Sequence, residues 1–159
     1  MRRKDREITD IKELLKIISE CKICRLGLSD NNYPYVIPLN FGYLYEDEKM
    51  TLFFHSAKEG RKLDILRKNN NACFEIDCGG KLIAGEKPCD YSYEFRSIIG
   101  FGKIFFSETD DEKARGLNRI MKHQTGTETE HAFTANELNG VCVYRMEVEE
   151  LKGKKRTGL

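Results

Sequence analysis

The 159-residue sequence has almost no net charge, no long apolar run and only three prolines, and each shortage narrows what the chain does. With 27 basic residues against 26 acidic ones, the net charge of +1 removes the broadly basic surface of a general nucleic-acid binder. No apolar segment approaches the roughly 20 residues that cross a bilayer. The opening Met1-Arg2-Arg3-Lys4-Asp5 leads into a helical pattern instead of the apolar centre of a secretory signal. A cytoplasmic protein is expected, with no membrane and no nucleic-acid partner. No Walker sequence occurs, and Gly100-Phe101-Gly102 lacks the third glycine and the helix of a dinucleotide fingerprint. Internal repeats and low-complexity segments are missing too.

The six cysteines are not read as a disulfide framework, because a chain of this size has a core to hold it and needs no staples. Cys21-Lys22-Ile23-Cys24 has the spacing of a metal knuckle, but Cys73, Cys78, Cys89 and Cys142 supply no matching second pair. Reduced thiols and no metal are expected. One domain over 1–159 fits the length, burying roughly 70% of the surface of its unfolded chain, with an arm at 1–7 and a basic tail at 152–159 expected to be flexible.

What is present centres on Phe53-Phe54-His55-Ser56-Ala57-Lys58-Glu59-Gly60-Arg61-Lys62, an apolar strand running into hydroxyl, glycine and cations. Leu63, Leu66 and the basic Arg67-Lys68 before three asparagines predict a helix over 60–69. Unpaired amides at its start, the positive end of its dipole and Lys58, Arg61 and Lys62 together suit a phosphate. The same ten residues suit a solvated basic helix start equally well.

Around this stretch, Asp10 and Glu13 bracket the start of an amphipathic helix with Ile11, Leu14, Leu15 and Ile18 at helical spacing. Alternation predicts strands through Cys24–Leu28, Met50–His55, Ala72–Asp77 and Val141–Val148, with turns at Asp30-Asn31-Asn32 and Glu46-Asp47-Glu48-Lys49. Tyr33–Tyr43 is aromatic and β-branched but carries Pro34 and Pro38. Pro38 marks either a pairing irregularity, with Asn40 free to hydrogen-bond a planar heterocycle, or an edge strand. Tyr91–Phe106 is the longest β pattern, with a bulge expected near Ser97 and a bend at Gly100 and Gly102. A second capping box, Thr109 with Glu112, opens a helix with Ala114, Leu117 and Met121 inward, and 124–139 reads as polar loop. About six strands joined mainly by hairpins, without βαβ rhythm, make a small antiparallel barrel of α+β type with peripheral helices.

The ordered set Asp5-Arg6-Glu7-Ile8, Tyr33–Tyr43, Phe54–Lys62 and Arg96-Ser97-Ile98-Ile99-Gly100-Phe101-Gly102-Lys103 resembles the split-barrel flavoproteins related to pyridoxamine 5′-phosphate oxidase, in the branch of nitroimidazole-resistance (Nim-type) proteins. The resemblance covers nearly the whole chain. It implies a six-stranded split β-barrel, a homodimer, and flavin mononucleotide (FMN) at the subunit interface. Position by position it implies Val36, Pro38, Leu39 and Asn40 beside the isoalloxazine, His55, Ser56, Lys58, Arg61 and Lys62 around the ribityl phosphate, and Ser97 approaching from the long strand. The C-terminal arginine motif of the vitamin oxidase is missing, so pyridoxamine phosphate oxidation is not implied. The expected function is an FMN-dependent oxidoreductase acting on small nitroaromatics, with His55 and Tyr93 as the only candidate proton donors. The alternatives are a flavin-binding or redox-sensing protein without turnover, and a haem-binding split barrel using His55, His123 or His131. The aromatic side chains Tyr33, Tyr35, Phe41 and Tyr43, too many for one face of a small barrel, also favour a dimer.

Overall fold

The computed structural model describes residues 3–157. After a 3-10 turn at Lys4–Arg6, the chain forms β1 (Glu7–Ile8), α1 (Ile11–Glu20), β2 (Ile23–Asp30), β3 (Tyr33–Asn40), β4 (Gly42–Glu46) and β5 (Lys49–Ser56). Then come α2 (Arg61–Lys68), β6 (Asn71–Ile83), β7 (Ser92–Phe106), α3 (Asp110–Thr125), α4 (Ala135–Gly140) and β8 (Cys142–Arg156). Local chemistry explains the boundaries. Asp10 caps α1 by accepting from the Lys12 amide at 2.9 Å. Asn31 and Asn32 at φ 48° and 73°, then Asp47 and Glu48 at 49° and 61°, make the two tight hairpins with residues that tolerate the left-handed region.

The strands pair antiparallel in the order β3-β2-β6-β7-β8-β5-β4, with β1 added on β8. The expected α+β antiparallel split barrel is found. Among the described residues its strands number eight, not six: β1 pairs Glu7 with Lys154, and the aromatic second arm divides at Phe41 into β3 and β4. Those two neighbours in sequence lie at opposite ends of the sheet, which therefore stays open. The division is made by Phe41, whose side chain is fully buried, and by Gly42, onto whose Cα the α3 backbone closes. A Cβ on Gly42 would sit 2.4 Å from the Arg119 carbonyl.

Of the two readings of Pro38, the edge strand is the one found: β3 keeps register with β2 from Tyr33 to Asn40, and at an edge a missing N–H costs nothing. Four other expectations change. The bulges fall between Cys78 and Lys81 and between Phe101 and Gly102, not near Ser97, which pairs with Asp77 and Lys154. Helix α3 buries Gly116, Ile120 and His123 instead of Ala114, Leu117 and Met121, and α4 replaces part of the expected loop through the Thr134–Glu137 capping box. Lys152–Arg156, read as a flexible tail, continues β8 opposite Phe95–Ile99, and the Lys155 ammonium donates to Glu13 at 2.7 Å. Met1, Arg2, Gly158 and Leu159 lie outside the described residues.

The core fills the barrel with Leu26, Phe41, Leu52, Phe54, Phe74, Ile76, Ile98 and Tyr144 and is sealed on one side by Leu14, Ile17 and Ile18 of α1. Each such side chain stabilises by roughly 1.5–3 kcal/mol. Phe74→Ala, which would open a cavity under β7, should cost about 3–5 kcal/mol. No described helix is long and apolar enough to cross a membrane.

Candidate functional site

Helix α2 starts abruptly. Gly60 holds φ 134° and ψ 157°, a backbone that L side chains rarely adopt, and provides no capping side chain, whereas Asp10, Thr109 and Thr134 cap α1, α3 and α4. A Cβ at Gly60 would meet nothing within 4 Å, so the space before the first-turn amides is open. β5 delivers the chain to this point with Ser56 opposite Cys142 and Phe54 opposite Tyr144 on β8.

Cations converge beside these residues. Arg67, Lys113, Lys62 and Lys58 all act on the Cys142 thiol, opposing the burial that pushes its pKa up. His55 is held below the ordinary imidazole range by partial burial and then by Lys62. The Tyr144 hydroxyl is fully buried without a hydrogen-bond partner. Burial raises its pKa, and the nearby Ser56 hydroxyl, which lowers it, donates instead to the Ala57 carbonyl at 2.8 Å. A neutral phenol with nothing to donate to therefore lies under the end of β5. Arg61 turns away from this group. Its guanidinium binds Asp30 at 2.9–3.0 Å and stacks over Tyr35 at 4.9 Å, tying the helix start to the β2–β3 hairpin.

The remaining expected residues form a second group on the outer face of the sheet. Register aligns Val36 with Gly27, Pro38 with Arg25 and Asn40 with Ile23; Gly27 and Arg25 pair on with Cys73 and Glu75, and on β6 Cys73, Glu75 and Asp77 pair with Phe101, Ile99 and Ser97. Val36, Ile23, Ile99 and Phe101 are exposed at 62%, 51%, 45% and 47%. Arg25 crosses the face to bond Glu75 at 2.9 Å and Asp77. Leu39 faces the other way, packing on the core, and the Asn40 amide donates to the Lys22 carbonyl and to Gln124 at 3.2 and 3.1 Å.

The structure thus joins His55, Ser56, Lys58 and Lys62 at one place and Val36, Pro38, Asn40 and Ser97 at another. It separates Arg61 and Leu39 from both. Of the candidate acids, Tyr93 is exposed at the β6–β7 hairpin, its hydroxyl pressed on Gly80, where a Cβ would lie 2.6 Å away. His123 is buried in the α3 C-terminal turn, with Nδ1 2.7 Å from the Phe41 carbonyl and Nε2 3.1 Å from that of Ile18. Both ring nitrogens are occupied there. His131 lies beyond α3, its backbone bonded to Asn118. Sequence reasoning missed Arg67, Lys113, Cys142 and Tyr144 as neighbours of the helix start. Only the cation-rich last turn of α2 carried a local signal.

Chemically, orphan amides, Lys58, Lys62 and a buried phenol offer donors without acceptors, which fits a phosphate monoester. The outer face offers flat apolar surface beside polar edges, which fits a planar ring system. Elsewhere, a groove of about 450 Å³ between α1, β4 and α3 is lined by Lys22, Tyr43, Arg119 and His123 among others. Among the described residues no group of three or more His, Cys, Asp or Glu side chains is placed to hold a metal.

Comparison with known proteins bears on the fold and the family. The profile of the pyridoxamine 5′-phosphate oxidase family matches residues 10–155. A candidate 5-nitroimidazole antibiotic resistance protein from Bacteroides thetaiotaomicron VPI-5482 is 34% identical in sequence. Its structure superposes with a TM-score of 0.81 over 94% of this chain and 86% of that one. A FAD- and haem-binding protein from Mycobacterium smegmatis (18% identity, TM-score 0.84, 96% and 74% covered) shares the fold. So does a flavocytochrome from Azotobacter vinelandii (19%, 0.81, 99% and 72%). A search of the curated proteins finds no match.

Proposed function

The chain belongs to the pyridoxamine 5′-phosphate oxidase family, and on that premise we propose that it binds FMN as a homodimer and reduces small nitroaromatic compounds. The observation that carries the cofactor is the uncapped α2 start facing Lys58 and Lys62. When bound, FMN supplies the hydride or electron transfer. Lys58, Lys62 and the first-turn amides hold the phosphate, and charge, not shape, sets FMN apart from riboflavin there. The Tyr144 hydroxyl, buried without a partner, lies under the end of β5 beside Ser56. Val36 and Pro38 exclude water from the ring, and Ser97 offers a hydroxyl at its edge.

A second copy of the chain supports this reading for two reasons. Val36, Ile23, Ile99 and Phe101 leave an apolar row uncovered in one chain, and the phosphate-type and ring-type groups fall on different parts of its surface. The relative from Bacteroides thetaiotaomicron points to the nitroaromatic substrate class. Of the two candidate acids, His55 adjoins the proposed phosphate group and Tyr93 does not. In the chain without phosphate, partial burial and then Lys62 hold His55 below its usual range.

The test replaces Lys58 and Lys62 with alanine together. FMN affinity should fall roughly 10²-fold or more while riboflavin affinity and the apo-protein melting temperature stay unchanged, since charge-assisted bonds are worth about 1.5–3 kcal/mol each before solvent screening. Parallel losses for both flavins would overturn the assignment. Light scattering that finds a monomer with stoichiometric FMN would remove the dimer. Steady-state turnover with a reduced nicotinamide and a nitroimidazole separates the oxidoreductase from a protein that only binds flavin.

A further inference from the structure

Away from this site, two sulfurs from distant parts of the chain meet. Cys21 ends α1 and is buried, and Cys78 is the last regularly paired residue of β6 before its bulge. The Cys21 thiol donates to the Asp77 carbonyl at 3.4 Å, so it lies against the residue preceding Cys78. The Cys78 thiol reaches Glu20 Oε2 at 4.0 Å, the residue preceding Cys21. Each sulfur thus sits beside the other's chain neighbour, and the Cys78 thiol acts on that of Cys21. Arg96, directly across from Cys78 on β7, donates to Glu20 at 2.6 Å and places a guanidinium over the pair.

We propose that Cys21 and Cys78 are a redox-active dithiol that closes reversibly into a disulfide when the protein meets a hydroperoxide. Cys78, half-buried, is the thiol a peroxide reaches, and Cys21, almost sealed from water, is the one that resolves. The Cys78 thiolate attacks the peroxide, the O–O bond breaks, and one water (or alcohol) leaves as the sulfenic acid forms. Cys21 then attacks that sulfur, the S–O bond breaks, and a second water carries away the thiol proton. Two thiols are oxidised by two electrons and one peroxide is reduced by two. A cellular dithiol reverses the step by exchange through a mixed disulfide.

Arg96 compensates for the Glu20 carboxylate beside Cys78. Burial and the neighbouring Cys78 push the Cys21 pKa up to about 12, so Cys21 is a poor first target and waits for an adjacent electrophile. The other thiols have no such arrangement. Cys24 is sealed in the core, the Cys73 thiol donates to the Phe74 carbonyl, Cys89 is exposed and its thiol faces Asp90, and Cys142 lies among cations. Closure would staple the end of α1 to β6 at the row where Asp77 faces Ser97.

The experiment treats the full-length protein with a small excess of hydrogen peroxide, quenches, denatures and counts thiols. Wild type should fall from six to four, with a Cys21–Cys78 linked peptide by mass spectrometry, and return to six with dithiothreitol. The Cys78→Ser variant, changed at a half-exposed position, should keep its remaining five through the same dose. Six surviving thiols in the wild type, a link through Cys89 or between chains, or sulfinic acid on Cys78 with Cys21 still free would each overturn the proposal. The wild-type peptide map decides the question even if a variant folds poorly.

Discussion

Helix α3 begins with Thr109 and Glu112 closing its first turn on itself, whereas α2 begins with Gly60 and two cations and has no side chain to cap it. In α3 the Thr109 hydroxyl accepts from the Glu112 amide at 3.2 Å. The Glu112 carboxylate accepts from the amides of Glu108 and Thr109, which hold it below its ordinary range. Asp110 and Asp111 add negative charge where the dipole favours it. In α2 the first turn carries Arg61 and Lys62 against the dipole, relieved by Asp64, itself bonded to Arg67, and by Asp30, which binds Arg61. One start is finished by the chain itself. The other is energetically incomplete by about a kilocalorie per mole, the usual worth of a cap, and gains by receiving an anion.

Changes that reverse this contrast should have unequal effects. Lys62→Glu is expected to be the largest, lowering FMN affinity roughly 10²–10³-fold, about 3–4 kcal/mol, with riboflavin within about twofold by fluorescence titration. A variant that kept FMN would show that α2 needs no anion. Next comes the far end of α3, where His123→Gln should cost about 1–3 kcal/mol near neutral pH by removing a buried, bonded ring. The two carbonyls favour a second proton on His123, but burial outweighs them and the Lys22 ammonium adds to it, so its pKa lies below the unfolded value of about 6.5. Its contribution is therefore complete above about pH 6.5 and is lost as pH falls through the lower folded value. Urea unfolding at about pH 7 and pH 5 should show the gap between wild type and His123→Gln narrowing in acid. A widening gap would mean that His123 folds as a cation.

Thr109→Ala should cost about 1 kcal/mol, or roughly 2–4 °C in melting temperature, and leave FMN binding alone. If it weakened FMN binding, the two starts would not be independent. The smallest effect is expected from Arg61→Ala, under about fivefold on FMN, because its exposed pair with Asp30 is worth only ~0–1 kcal/mol. A loss matching that of Lys62→Glu would mean that Arg61 leaves Asp30 for the phosphate.

Much of this contrast was legible in sequence order, since a strand, a glycine and a cation run are all local. The hairpins at Asn31-Asn32 and Asp47-Glu48 were legible for the same reason, as two residues decide each turn. Lys113 and Cys142 were not, because they reach α2 only after α3 and β8 dock on β5. The divided arm was missed because nothing near Phe41 announces that α3 will close on Gly42. The face of α3 was misread because glycine at 116 and histidine at 123 are its inner residues, and neither registers as apolar. The Thr134–Glu137 box was readable and was passed over in favour of its polar surroundings.

Strand β8 follows every other strand along the chain, yet it is the one that joins β7 to β5 and anchors β1. While the polypeptide is being made, β7 and β5 must therefore wait on the ribosome with open backbone edges until β8 has emerged. The late arrival makes nascent chains stalled within α3 or α4 sticky intermediates, and assigns the slowest folding step to a pairing of high sequence separation. A protein so wired should depend on chaperones during synthesis far more than its finished stability suggests.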